Sequence, residues 1–164
     1  MTNLLVPTDF TPASLKLAEQ AIKVLNREVN IILFHAFEMP YYYTDFVRPD
    51  NQPWQEIMND DLRQACKQLK ERYPWLINSI SCRFMQGNSS ALFRNWIEAN
   101  DIHMIACPAS YIYTRIHARS LNPVQFFKKS RIQVLQDFTL QQKKEVANGQ
   151  EQQEKKVTAY SIAS

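Results

Sequence analysis

Short apolar runs that alternate with stretches of helical periodicity limit this chain more tightly than any other feature. Residues 3–6 (NLLV) are a mostly apolar run stopped by Pro7, the shape of a buried strand entering a turn. Thr11 and Pro12 then supply an N-cap and a proline at the first helical position. Leu15, Leu17, Ala18, Ala21, Ile22 and Leu25 recur at helical spacing, with Lys16, Glu19, Gln20 and Lys23 opposite, which predicts an amphipathic helix of roughly 13 residues. Residues 29–36 (VNIILFHA) are nearly all apolar, as befits a strand covered on both faces. Residues 37–53 hold three prolines, three consecutive tyrosines and no period, and read as a long loop. Asn51 can cap a second helix, with Pro53 in its first turn and Trp54, Ile57, Met58, Leu62, Ala65, Leu69 and Tyr73 as apolar positions before Pro74. Residues 79–85 alternate as a third strand, and Gly87 breaks it. Ser89 or Ser90 can cap a third helix running through Asn100, with Leu92, Phe93, Trp96 and Ile97 as its buried stripe. Residues 102–107 (IHMIAC) form a fourth buried strand, Asn122 and Pro123 begin a short helix with Val124, Phe126 and Phe127, and residues 132–135 make a fifth strand.

Strands joined by helical crossovers run parallel, and the crossovers are right-handed in nearly all cases. The expected fold is therefore α/β: a five-stranded parallel, doubly wound sheet with helices on both faces, spanning residues 1–138 as one domain. Residues 139–164 differ, with five Gln, four Lys and three Glu and no sustained apolar stripe; they read as a polar tail, flexible or loosely attached.

A chain of 164 residues with 45% hydrophobic content can fill a core, and a net charge of +3 is too small to imply nucleic-acid binding. No apolar run approaches the roughly 18 residues that span a bilayer. The start lacks a basic region and meets Asp9 early, which is not the pattern of a signal peptide, and three cysteines without a CxxC fit a reducing compartment; a cytoplasmic location is expected. Two glycines, Gly87 and Gly149, stand where average usage gives about eleven, so a function that needs a glycine-rich loop is disfavoured.

In an open parallel sheet, ligands bind outside the carboxyl ends of the strands, where strand order reverses. After the first strand come Pro7, Thr8 and Asp9; the Asp9 carboxylate can cap the helix with Thr11 or accept hydrogen bonds from a base or ribose. After the fourth strand, residues 108–121 (PASYIYTRIHARSL) open a stretch that holds no acid from 102 through 136 but includes Arg115, Arg119, Lys128, Lys129 and Arg131. Arginine forks can hold an anion without glycine, and a solvated basic surface is the plainer alternative. His35, His103 and His117 lack metal-ligand spacing, Cys107 reads as a small buried hydrophobe, and Asp60, Asp61 and Glu56 read as helix surface. No HxGH-like, GxSxG or P-loop pattern occurs, so neither catalytic nor metal residues are assigned.

These residues resemble the universal stress protein family. NLLVPTDFTPASLKLAEQAIKVL and VNIILFHAFE are similar to the family's opening strand, Pro-Thr-Asp turn, first helix and second strand, and ANDIHMIAC and SLNPVQFFKKSRIQVLQ stand at its later strands and last helix, covering residues 3–136 in all. In nucleotide-binding members the first-strand aspartate and the backbone after the second strand meet the adenosine, and a Gly-x2-Gly-x9-Gly-Ser/Thr loop cradles the phosphates. The resemblance implies an adenosine-like pocket at Pro7, Thr8, Asp9 and Ala36. In the phosphate loop, Ala109, Ile112 and Arg119 stand at the three glycines and only Ser120 keeps its identity; β-branched Ile112 tolerates positive φ poorly. The implied protein is a non-enzymatic, dimeric interaction or small-ligand module of stress response, with no cofactor expected. Its homodimer would pair the last-strand edge (Ile132, Gln133, Val134, Leu135) antiparallel with its copy. Its other partner would be a protein or a small ligand, not a membrane or nucleic acid. The alternative is an ATP or AMP binder that uses Asp9, with Arg115, Arg119 and Ser120 in place of the glycine loop.

Overall fold

The computed structural model describes residues 1–39 and 59–138. The strands are β1 (Thr2–Pro7), β2 (Val29–Phe37), β3 (Ile77–Gln86), β4 (Met104–Ala106), β5 (Ser120–Leu121) and β6 (Gln133–Leu135). The α-helices are α1 (Leu15–Leu25), α2 (Asp60–Arg72), α3 (Ser90–Ala99) and α4 (Val124–Phe127). β3-β2-β1-β4-β6 is the order across the sheet, and every pair along it is parallel. That is the five-stranded doubly wound sheet expected from the alternation of elements, with one addition: β5 pairs antiparallel with the end of β2, Ala36 opposite Leu121 and Phe37 opposite Ser120. Two residues are too short a run to show a period, which is why β5 escaped the sequence pattern.

Alternation along the strands divides the core into two layers. Leu4, Val6, Ile31 and Leu33 face α1 and α2, where Ala18, Ala21, Ile22, Leu62 and Leu69 are buried. Leu5, Phe34 and Ile105 face the other way, onto Phe93 and Ile97 of α3 and Phe126 and Phe127 of α4. Fully burying each large side chain of this kind contributes about 1.5–3 kcal/mol, so these two layers carry the fold.

The helix starts differ in detail from expectation. Thr11 precedes a 3₁₀ turn (Pro12–Ser14) rather than the α-helix itself, and its hydroxyl makes no cap bond. It donates instead to Asp9 Oδ1 at 2.6 Å. α2 is capped by Asn59, whose side chain accepts from Leu62 N, and α3 by Ser89, which accepts from Leu92 N. Leu92, expected in the buried stripe, is 38% exposed, because α3 turns Phe93 and Ile97 toward the sheet instead. The Asn51 cap, the aromatic loop beyond Met39 and the tail 139–164 lie outside the described residues. Gly87 ends β3 with φ +129°, a conformation that only glycine adopts without strain. At the amino ends of the strands, Asn30 Nδ2 donates to Asn3 Oδ1 and Asn30 Oδ1 accepts from Asn78 Nδ2 and Ser79 Oγ, joining β1, β2 and β3 far from the ligand end of the sheet.

Candidate functional site

The strand order reverses between β1 and β4, so the crevice to inspect lies beyond Pro7 and Ala106. β1 leaves β2 at Thr8, whose amide still donates to Phe34 O at 3.0 Å. The chain then turns sharply. Phe10 sits at φ +62°, an uncommon place for a bulky residue. Its amide donates to Thr8 Oγ1, and its buried ring packs between His35 and Phe84 at centroid distances of 5.1 and 5.4 Å. Asp9 is half-buried, and its Oδ1 accepts from both the amide and the hydroxyl of Thr11. One carboxylate oxygen of the predicted adenosine-binding residue is therefore committed to shaping the turn.

His35 is the buried hub of the site, 3% exposed. Its Nδ1 lies 2.8 Å from the Thr8 carbonyl, which can only accept, so Nδ1 carries the proton. Nε2 of the neutral ring then accepts from Ser120 Oγ at 2.9 Å. Burial holds the proton affinity of His35 below its ordinary value; the Thr8 carbonyl and Asp9 oppose this, and His117 adds to it. Sequence reasoning placed His35 as a packed, hydrogen-bonded histidine, and its two partners agree with that.

The segment from Pro108 to Ser120 is held by side chains. Arg119 donates through Nε and Nη2 to the Glu38 carbonyl at 3.1 and 2.8 Å, and Glu38 N donates to the Arg119 carbonyl at 2.7 Å. Arg115 donates to the carbonyls of His117 and Ala118. The Arg119 amide donates to His117 Nδ1, and the Ser120 amide to the His117 carbonyl. Both candidate arginines thus bind main-chain oxygens, and the Ser120 hydroxyl points at His35. Ala36, proposed to offer its backbone to a base, is paired with Leu121.

Tyr111 and Tyr113 were missed as site residues. The half-buried Tyr111 ring packs with Cys107 against the second core layer, and burial beside Cys107 and Asp9 pushes its phenol well above the ordinary range. Tyr113 Oη is buried beside Ser120 but outside hydrogen-bond geometry. The alternation of these two tyrosines with exposed Ile112 and Thr114 was the available signal, an extended segment with one inward face. Burial pushes the Cys107 thiol up to about 11, so little of it is thiolate at neutral pH, in keeping with a small buried hydrophobe. His103 sits at the opposite end of the sheet, just before β4, accepting from Asn3 N and facing Asp101. Among the described residues no cluster of His, Cys, Asp or Glu could hold a metal ion, and no helix is long and apolar enough to cross a membrane.

No protein-family model and no curated protein matches the chain. Solved structures do. A hypothetical protein, PH0823, aligns over 82% of this chain and 93% of its own with 17% identity and a TM-score of 0.52. A universal stress protein in complex with cAMP aligns over 83% and 96% with 17% identity and a TM-score of 0.45. Universal stress protein UspA from Lactobacillus plantarum aligns over 82% and 95% with 14% identity and a TM-score of 0.44. The chain is thus similar to solved structures that include universal stress proteins, and the likeness to PH0823 establishes the doubly wound α/β fold.

Proposed function

We propose that this chain is a universal-stress-like protein: a cytoplasmic, non-enzymatic homodimer that acts in stress response by binding a protein partner or a small ligand, and that does not hold ATP through a glycine loop. The observation that carries this reading is the backbone of the segment after β4. A phosphate nest needs successive amides around a left-handed residue. No residue from 109 to 119 has positive φ, and the amides of Ala109, Tyr111, Arg119 and Ser120 donate to Gln136 O, Pro108 O, His117 Nδ1 and His117 O. The position of β6 at the sheet edge, with Val134 and Leu135 half-buried, supports pairing of residues 132–135 with a second copy.

Thermal unfolding with millimolar ATP or AMP tests the ligand half. A nucleotide at a hundred times its Kd stabilises by about 2.7 kcal/mol, which for a chain of this size is a rise of about 5–10 °C. No rise is expected. A rise abolished by Asp9→Ala and by Arg119→Ala would replace this reading with the nucleotide binder. Light scattering tests the dimer: a dimeric wild type that Val134→Pro converts to monomer supports it, and a monomeric wild type overturns it.

A further inference from the structure

A second concave region lies at the other edge of the sheet, between α2 and β3. Arg63, Lys67 and Lys70 recur at helical spacing along one face of α2, over a cavity of about 650 Å³. Its floor is apolar: Leu62 is buried, and Ile80, Cys82 and Phe84 are half-buried side chains of the first core layer. Small-molecule sites occupy about 300–1,000 Å³ and combine such a floor with a few polar groups, so the size and chemistry match. The charge is of one sign. Among the described residues no acidic side chain lines the cavity, and the nearest ion pair, Arg63 with Asp60 at 3.7 Å, is exposed and too loose to neutralise the rim. Burial raises the pKa of both thiols in the lining, Cys66 and Cys82, so neither places a negative charge against a ligand.

We propose that this groove binds an amphipathic anion: a single-chain carboxylate whose tail lies over Ile80, Cys82 and Phe84 and whose head meets Arg63, Lys67 and Lys70. A cationic amphiphile would find the same floor but a repelling rim, and a neutral one would find no partner for its head. The proposal is independent of the stress-protein reading.

The test is fluorescence titration of the full chain with 11-(dansylamino)undecanoic acid. Saturable one-site binding is expected, displaced by dodecanoate and at least about tenfold less well by dodecan-1-ol or dodecyltrimethylammonium. The exposed pair Lys67→Glu/Lys70→Glu should weaken binding about tenfold with an unchanged circular dichroism spectrum, and Lys67→Gln/Lys70→Gln should weaken it less. Absence of saturable binding, equal displacement by the cationic analogue, or unchanged affinity in both double variants would overturn it.

Discussion

Replacing Ser120 with alanine isolates the contact that fastens the loop after β4 to the end of β2. The geometry fixes the roles: Nδ1 of His35 must donate to the Thr8 carbonyl, so Nε2 must accept, and Ser120 Oγ at 2.9 Å is its donor. His35 is 3% and Ser120 7% exposed, so water does not readily take the place of the lost hydroxyl. A buried acceptor left unsatisfied costs about 1–3 kcal/mol. For a chain of this size that is a fall in Tm of about 2–12 °C. Removing both partners leaves neither atom of the Ser120–His35 contact stranded; the Thr8 carbonyl loses its donor in the His35→Leu single variant and in the double variant alike, so that loss cancels in the cycle. His35→Leu/Ser120→Ala should therefore be more stable than the sum of the single losses implies, by about 0.5–3 kcal/mol. Urea unfolding at pH 8, compared at constant m, measures all three variants. A Ser120→Ala loss below about 0.3 kcal/mol, or strict additivity in the cycle, would refute the assignment.

Because burial lowers the pKa of His35 in the folded protein, the unfolded chain binds a proton first as pH falls; stability should be full above about 6.5 and decline below it by up to about 1.4 kcal/mol per pH unit. His35→Leu should flatten that decline between pH 6.5 and 5, and identical wild-type and variant curves would contradict it. Gly87→Ala should cost about 1–3 kcal/mol through its φ of +129°. The 2.3 Å approach of a new Cβ to Leu92 Cδ2 matters less, because that side chain can rotate, so Leu92→Ala should not rescue Gly87→Ala in denaturant titration. Cys82 and Cys107, each pushed up to about 11, should react with a chromogenic disulfide at pH 7 about a hundredfold more slowly than free cysteine until urea is added.

The fold was legible because each level of the sequence agreed with the next. The apolar runs at 3–6 and 29–36 are of strand length and too short for a core helix, and Leu15, Ala18, Ala21 and Ile22 share one face at helical spacing. What the pattern could not carry was long-range pairing. That Ser120 and Leu121 pair with Phe37 and Ala36 depends on residues more than eighty positions apart, and no local period encodes it. The same holds for the site: the Pro-Thr-Asp turn and His35 were visible, but the Ser120 hydroxyl became a partner of His35 only once β5 was in place. Phe10 at positive φ was equally hidden, since a phenylalanine gives no turn signal of its own.

The arginines show what charge alone does not reveal about such a segment. A stretch free of acids with Arg115 and Arg119 reads as a place for an anion, yet both guanidinium groups are fastened to carbonyl oxygens of the chain. A loop with glycine can fold its own amides inward around a phosphate. Here Arg119 donates twice to the carbonyl of Glu38, tying the segment to the end of β2. An anion that recruited Arg119 would first have to break both of its hydrogen bonds to that carbonyl. Arg115 and Arg119 thus give the segment its charge and at the same time fasten it, Arg115 within its own turn and Arg119 to the end of β2.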